Sequence, residues 1–193
     1  TTLQNAVKNN KVAQSLLFCG PRGVGKTTCA RILANKINNF DFTNPLESSN
    51  NLNIYELDAA SNNSVDDIRN LIEQVRYPPQ SGKFKVYIID EVHMLSNAAF
   101  NAFLKTLEEP PSYAIFILAT TEKNKVIPTI ISRCQIYDFN RIEIPDIKNK
   151  LSEILESEKI SFEDEALHLI ARKADGALRD ALSTLDLIKT FIK

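Results

Sequence analysis

Ser15-Leu16-Leu17-Phe18-Cys19-Gly20-Pro21-Arg22-Gly23-Val24-Gly25-Lys26-Thr27-Thr28 is the stretch that decides the fold. An uncharged, largely apolar run leads into a glycine-rich octet, which leads into Thr28-Cys29-Ala30-Arg31-Ile32-Leu33-Ala34. The order reads as strand, loop and helix. A short continuous apolar run suits a strand buried on both faces. Gly20 to Thr27 matches G-x-x-x-x-G-K-[ST] in the context that gives this pattern its meaning. Glycines there let successive backbone N–H groups point inward as an anion nest, and the following helix adds its positive dipole end. The expected ligand is a nucleotide phosphate. Lys26 is expected to reach the β and γ phosphates, and the Thr27 hydroxyl to ligate magnesium.

Strands and helices alternate on either side of this loop. Leu3, Ala6 and Val7 give one face of a short helix ending near Asn10. Asn38 to Asn53 is polar, contains Pro45 and reads as a loop. Ile54 to Leu57 is a short strand, and Ser64-Val65-Asp66-Asp67 resembles a capping box that opens a helix to about Val75. Pro78-Pro79-Gln80-Ser81-Gly82 breaks that helix. Val86 to Ile89 is the most apolar strand and ends on Asp90-Glu91. A helix from about Ser96 puts Phe100, Phe103, Leu104 and Leu107 on one face, and Pro110-Pro111 stops it. Ala114 to Ala119 is a strand, Pro128 starts a short helix, and Gln135 to Phe139 is the last strand. From Pro145 the pattern is helical only, at about 145–158, 163–174 and 178–190, with Gly176 as the break between the last two. Alternating strands and helices imply an α/β fold with a parallel sheet covered on both faces, followed by a small helical lid. We place the nucleotide-binding domain at 1–143 and the lid at 144–193.

Composition narrows the partners. The chain has 193 residues, 44% hydrophobic and 24% charged, which suits a soluble α/β core with an appendage. No stretch approaches the length of a membrane span and no signal peptide opens the chain. The net charge of −1 means that any nucleic-acid contact must be local rather than global. Cys19, Cys29 and Cys134 are far apart and have no metal-ligand spacing. They read as buried or spectator thiols of a cytoplasmic protein.

Two further groups carry chemistry. Asp90 ends an apolar strand, where an aspartate holds a magnesium shell, and Glu91 follows, where a glutamate orients an attacking water. Adjacent acids at that point suit hydrolysis of ATP better than transfer to a hydroxyl. His93 has no partner at ligand spacing and is expected to be packed rather than catalytic. Thr120-Thr121 ends another strand, where a polar residue can sense the γ-phosphate. Arg133, in Ser132-Arg133-Cys134, can neutralise phosphoryl charge on its own nucleotide or on a neighbour's. No triad of carboxylates suited to two-metal nucleotidyl transfer is present, so the chain itself is not expected to polymerise DNA.

Taken in order, Cys19-Gly20 through Thr28, Asp90-Glu91-Val92-His93-Met94-Leu95, Lys105-Thr106-Leu107-Glu108-Glu109-Pro110-Pro111, Ala119-Thr120-Thr121 and Ser132-Arg133-Cys134 resemble one family. It is the AAA+ module of the bacterial DNA polymerase III gamma/tau family, the motor of the sliding-clamp loader. The likeness covers nearly the whole chain, and Glu-Glu-Pro-Pro with Ser-Arg-Cys marks clamp loaders among AAA+ proteins. The resemblance implies a five-stranded parallel sheet, a three-helix lid and ATP with magnesium held between them. It implies that Gly20, Pro21, Arg22, Gly23, Val24, Gly25, Lys26, Thr27 and Thr28 contact the nucleotide. Thr27 and Asp90 serve magnesium, and Glu91 positions water. Thr121 takes the sensor-1 place, and Arg133 is a finger acting in trans on the next subunit. Arg179, in Gly176-Ala177-Leu178-Arg179-Asp180-Ala181-Leu182, takes the sensor-2 place and links the lid to the γ-phosphate. Arg69 and Lys105 match positions that touch DNA phosphates. Asn62 stands where a basic residue is common, and Val75 to Pro79 is expected to touch the clamp. The implied partners are other clamp-loader subunits in a hetero-pentamer, the sliding clamp and primed DNA.

Three departures from the family accompany the likeness. The sequence starts after the Arg-, Pro- and Phe-rich segment that usually precedes the first helix and helps enclose the adenine, so reduced nucleotide affinity is expected. Asn38 to Asn53 lacks the four cysteines of the family's zinc module, which is either lost or missing from this sequence, so no zinc is expected in the chain as written. The sequence also stops before the collar domain, so it reads as a fragment that assembles poorly alone. The rival readings are another AAA+ ATPase of DNA metabolism and a non-hydrolysing stator-like scaffold. Other AAA+ enzymes lack the Glu-Glu-Pro-Pro and Ser-Arg-Cys pair, and the stator lacks a working phosphate loop.

Overall fold

The computed structural model describes residues 2–9, 11–38, 53–79 and 82–191. Most of the expected loop from Asn38 to Asn53, Asn10 at the end of the first helix, and Gln80 and Ser81 of the expected break lie outside the described residues. The chain divides into two compact units, Thr1–Cys19 with Thr27–Asp138 and Gly20–Lys26 with Phe139–Lys193.

The first unit is built on a five-stranded sheet. Its strands are β1 (Ser15–Cys19), β2 (Ile54–Asp58), β3 (Lys85–Asp90), β4 (Ala114–Thr120) and β5 (Gln135–Asp138), in the order β2-β3-β4-β1-β5. Every pairing is parallel. β1 and β4 are buried along their whole length, as is β3 up to Asp90, which is why these three read as continuous apolar runs. The edge strands β2 and β5 keep partly exposed positions and accordingly carry Glu56 and Gln135. Registers Cys19↔Thr120, Cys19↔Asp138 and Asp58↔Asp90 bring the carboxyl ends of neighbouring strands level. That edge is where parallel α/β sheets bind ligands.

The helices of this unit are α1 (Thr2–Lys8), α2 (Lys26–Ile37), α3 (Val65–Val75), α4 (Asn97–Glu108) and α5 (Pro128–Ile131). α3 opens with the expected capping box: the Ser64 side chain accepts from the Asp67 N–H, and the Asp67 carboxylate takes the Ser64 N–H. Ser96 caps α4 by accepting the Ala99 N–H at 3.2 Å. Phe100 and Phe103 on α4 are buried, and the Phe103 ring meets Phe116 of β4 edge-on with centroids 5.2 Å apart. Burying each such side chain contributes roughly 1.5–3 kcal/mol. β3 starts one residue earlier than its apolar run because Lys85 has a buried place of its own. Its ammonium donates to the carbonyls of Gln74 (3.1 Å) and Tyr77 (3.0 Å), over the Tyr55 ring. β5 ends at Asp138, one residue short of the expected Phe139.

The second unit holds three helices, α6 (Ile144–Ser157), α7 (Asp164–Lys173) and α8 (Leu178–Lys189). Pro145 stands in the first turn of α6, where its missing N–H costs nothing. Ile147, Leu151, Leu155, Leu167, Ile170, Ala181 and Leu185 form its core at helical spacing. Gly176 separates α7 from α8 at φ +82°, and a Cβ there would lie 2.5 Å from the Arg141 Cβ. Among the described residues no helix is long and apolar enough to cross a membrane.

Candidate functional site

The carboxyl end of β3 organises the first unit's polar cluster. Asp90 accepts the Thr27 hydroxyl on Oδ2 at 2.5 Å and the Glu91 N–H on Oδ1 at 2.8 Å. The second bond helps hold Glu91 at φ +46°, a left-handed conformation that costs a non-glycine residue on the order of 1 kcal/mol. The turn that follows folds back tightly, with the Met94 N–H donating to the Glu91 carbonyl at 2.8 Å. Glu91 Oε2 then accepts from the hydroxyl of Thr121 at 3.0 Å and from its N–H at 3.3 Å. Four expected site residues, Thr27, Asp90, Glu91 and Thr121, therefore form one hydrogen-bonded series. The Thr27 hydroxyl and Asp90 carboxylate are hard oxygen donors side by side, and such donors fit magnesium. Among the described residues no group of three or more His, Cys, Asp or Glu is arranged to hold a metal ion by itself.

The second unit contains the glycine loop and the start of α8. Lys26 is buried, and its ammonium donates to the carbonyls of Gly20 and Pro21, each at 2.8 Å. Gly23 adopts φ +78°, and a Cβ there would lie 2.9 Å from the Ala177 Cβ. Only glycine combines that backbone with that approach. The Gly23 carbonyl in turn accepts the Arg179 N–H at 3.2 Å. The loop is thus tied by main chain to Arg179, the residue expected to take the sensor-2 place. The side chains of Arg22, Thr28 and Arg179 are at exposed positions.

Arg133 is not brought into the Asp90 cluster. Its guanidinium pairs with Glu108 Oε1 at 2.6 Å and donates to the Thr129 carbonyl at 2.7 Å and Ser132 Oγ at 3.3 Å. The pairing joins the Glu-Glu-Pro-Pro and Ser-Arg-Cys stretches, which the sequence shows only as separate motifs. One signal for it was available. Glu108 is the last residue of α4, where the helix dipole disfavours an acid unless a cation answers it. Next to Arg133, burial pushes the Cys134 thiol up to about 12 and makes it an anchor rather than a nucleophile. Burial also raises Cys29.

The expected nucleic-acid contacts lie on helices of the first unit. Arg69 on α3 is exposed and pairs with Asp66 at 3.1 Å, and Lys105 on α4 is exposed. Asn62 hydrogen-bonds the Asp58 carbonyl at 3.1 Å, so its side chain serves the turn after β2. The segment from Val75 is fixed from below: the Tyr113 hydroxyl donates to the carbonyls of Val75 and Arg76, each at 3.0 Å. Tyr77 beside it stays 69% exposed.

One residue was undervalued by the sequence. The side chain of His93 is packed as expected, at 6% exposure, but among polar groups. Nδ1 lies 3.0 Å from Thr120 Oγ1 and 3.4 Å from Glu91 Oε2, and Nε2 lies 3.4 Å from Glu122 Oε1. A lone histidine three residues after Asp90 gives no hint of partners 27 to 29 positions away, and Glu122 was not singled out at all.

Comparison with known proteins gives consistent relatives. Residues 1–143 match a family model described as "DNA polymerase III, delta subunit", and residues 146–187 match "DNA polymerase III clamp loader subunit, ATPase lid domain". The chain is 48% identical over 196 residues to the DNA polymerase III subunit tau of Bacillus subtilis, covering 96% of this chain and 35% of that protein. It is 44% identical over 197 residues to subunit tau of Escherichia coli, covering 96% and 31%. The chain thus spans about a third of the length of these relatives. Among solved structures, the Thermotoga maritima RuvB Holliday junction branch migration motor matches with a TM-score of 0.73 at 22% identity, over 97% of this chain and 58% of that one. A DNA polymerase III gamma subunit-related protein from the same organism matches with a TM-score of 0.63 at 24% identity, over 91% and 59%. Both structural likenesses speak for the fold, a five-stranded AAA+ sheet with a helical lid.

Proposed function

Because this chain belongs to the bacterial DNA polymerase III gamma/tau family of clamp-loader subunits, we propose that it is the ATP-hydrolysing motor module of a sliding-clamp loader. The observation that carries the reading is the hydrogen-bonded series Thr27–Asp90–Glu91–Thr121. It joins the last residue of the phosphate loop to the acid that serves magnesium, the glutamate that orients water, and the threonine that senses the γ-phosphate. Gly20 to Thr28 bind the phosphates through backbone N–H groups and the Lys26 ammonium. Thr27 and Asp90 would hold magnesium, whose charge would offset that of the nucleotide phosphates. Glu91 receives the proton side of the attacking water, and Thr121 keeps its carboxylate turned toward β4. Arg179 reports on the γ-phosphate from the start of α8. Arg133 completes the site of the adjacent subunit.

The functional division follows 1–143 for nucleotide chemistry and 144–193 for the lid. The partners are other clamp-loader subunits, the clamp and primed DNA in the cytoplasm. Arg69 and Lys105 meet DNA phosphates, and the exposed Tyr77 in the Val75–Pro79 segment meets the clamp. The cycle runs on interface closure: ATP draws Arg133 of one subunit to the next, and loss of the γ-phosphate releases it.

A second reading has one observation in its favour, since the model matching residues 1–143 carries the name of the delta subunit. A scaffold subunit of that kind would not turn over ATP. ATPase turnover of the full-length protein in its complex, with and without clamp and primed DNA, separates the two. Stimulation by both supports the motor, turnover indifferent to the clamp points to another AAA+ role, and absence of nucleotide binding supports the scaffold.

A further inference from the structure

We propose that His93 is a positioning residue for ATP hydrolysis, holding the Glu91 carboxylate against Thr121 by bracing it from Thr120 and Glu122. The proposal rests on the reading of Glu91 as the residue that orients water.

Glu91 needs such a brace. Its backbone is left-handed, so the usual strand geometry does not fix where its side chain goes. Asp90 Oδ1 holds only its N–H. Among the described residues the carboxylate is contacted on Oε2, by the hydroxyl and N–H of Thr121 and by the imidazole edge of His93 at 3.4 Å. Two of the three come from β4's far end and one from the turn that Glu91 itself begins.

The imidazole is fixed on its other sides. Nδ1 shares a hydrogen bond with Thr120 Oγ1 at 3.0 Å, and that oxygen also accepts the Glu122 N–H at 3.0 Å. Nε2 faces the Glu122 carboxylate at 3.4 Å. Glu122 is anchored in turn by Lys125 at 2.8 Å, and the hydrogen bond from Lys125 is the main reason its carboxyl titrates below the usual range. The ring therefore spans two carboxylates, one assigned to water and one held at the surface by a lysine. Thr120 is fully buried, so the frame behind the ring is rigid.

A side chain placed like this controls orientation rather than binding. It touches no residue of the phosphate loop among its contacts given above, so its removal should leave nucleotide affinity alone. It would let the Glu91 carboxylate swing and water fill the space beside it. Displacement of a catalytic group by about 1 Å costs on the order of 100-fold in rate.

The test uses the full-length protein assembled with its partner subunits, clamp and primed DNA. His93→Ala is expected to lower kcat by on the order of 10- to 100-fold, with KM for ATP and the melting temperature nearly unchanged. His93→Gln, whose amide can bridge Thr120 and Glu91, is expected to recover much of the loss, and His93→Leu, which fills the space without polar atoms, is not. If His93→Ala does not assemble, the Gln and Leu variants carry the comparison. Equal kcat in the Gln and Leu variants, or a kcat loss matched by a rise in KM and a lower melting temperature, would overturn the proposal. Glu91→Gln, made in parallel, keeps the two readings apart. If it retains turnover, the role given to Glu91 fails; if it is inactive while His93→Leu is normal, only the role given to His93 fails.

Discussion

Replacing Arg133 by alanine tests the proposed trans finger, because the contacts this side chain makes within its own chain are weak enough to be told apart from the role we propose for it toward a neighbour. Among the described residues, Arg133 pairs with Glu108 and hydrogen-bonds the Thr129 carbonyl and Ser132 Oγ. The Arg133 and Glu108 side chains are 33% and 47% exposed, so solvent screens the pair. Ion pairs of that kind contribute ~0.2–1 kcal/mol. For a unit of this size that is a fall in melting temperature of about 2–4 °C or less. Across a subunit interface, an arginine that meets a transferring phosphoryl group is worth roughly 10³- to 10⁵-fold in turnover. The two roles therefore differ by orders of magnitude. The assays are thermal melting and ATP affinity of the isolated protein, and single-turnover ATP hydrolysis in the loader assembled with clamp and primed DNA. We expect the melt to shift by a few degrees at most, ATP affinity to stay within a few-fold, and stimulated hydrolysis to fall by at least 100-fold. Glu108→Gln breaks the same ion pair but keeps the guanidinium, so it should reproduce the small melting shift while retaining most of the turnover. Hydrolysis in Arg133→Ala reduced no further than in Glu108→Gln would refute the finger and leave Arg133 as a surface strut.

Two further outcomes follow from local geometry. Gly23→Ala puts a Cβ 2.9 Å from that of Ala177 at φ +78°, so it should destabilise the second unit by about 1–3 kcal/mol and weaken ATP binding; an unchanged urea midpoint would show that the loop relaxes freely. Cys134, pushed up to about 12 by burial from an ordinary value of 9.0, keeps its thiol form in the folded chain while an unfolded chain ionises near the ordinary value. Its contribution to stability is therefore intact below about pH 9 and declines as pH rises toward 12. Alkylation at pH 8 should be slow in the native protein and fast in urea, and equal rates would contradict the burial.

The sequence made the phosphate loop legible because its chemistry is local: glycines at fixed spacing, a lysine and a threonine at a helix start need no distant partner to be understood. Ser64 and Ser96 were legible for the same reason, since a cap is a matter of three residues. Asp90 and Glu91 were legible as acids that end an apolar strand. The extra residue at the start of β3 was not, because Lys85 looks like a solvent residue until the carbonyls of Gln74 and Tyr77 appear above it. Nor was strand order. β1, β3 and β4 are all apolar runs, and nothing in their periodicity says that β4 stands between the other two.

That order explains why the rest of the site was hidden. Placed between β1 and β3, β4 delivers its carboxyl end to the edge where the acids of β3 emerge. Thr120, Thr121 and Glu122 leave that end in succession, and each takes a different task. Thr121 holds Glu91, Thr120 holds His93, and Glu122 closes the far side of the imidazole. A reading that takes each strand end separately finds a threonine sensor and a catalytic acid. It has no means of finding the histidine between them, because His93 acquires its partners only when β3 and β4 become neighbours. The same holds for Glu108 and Arg133, joined across 25 positions at the ends of α4 and α5. In both cases the residues were visible in the motifs, and the pairing that aims them was not. The side chains that aim the proposed catalytic groups are therefore the ones for which substitution in the assembled loader is most informative, with His93 foremost because it lies against the carboxylate we propose to orient the attacking water.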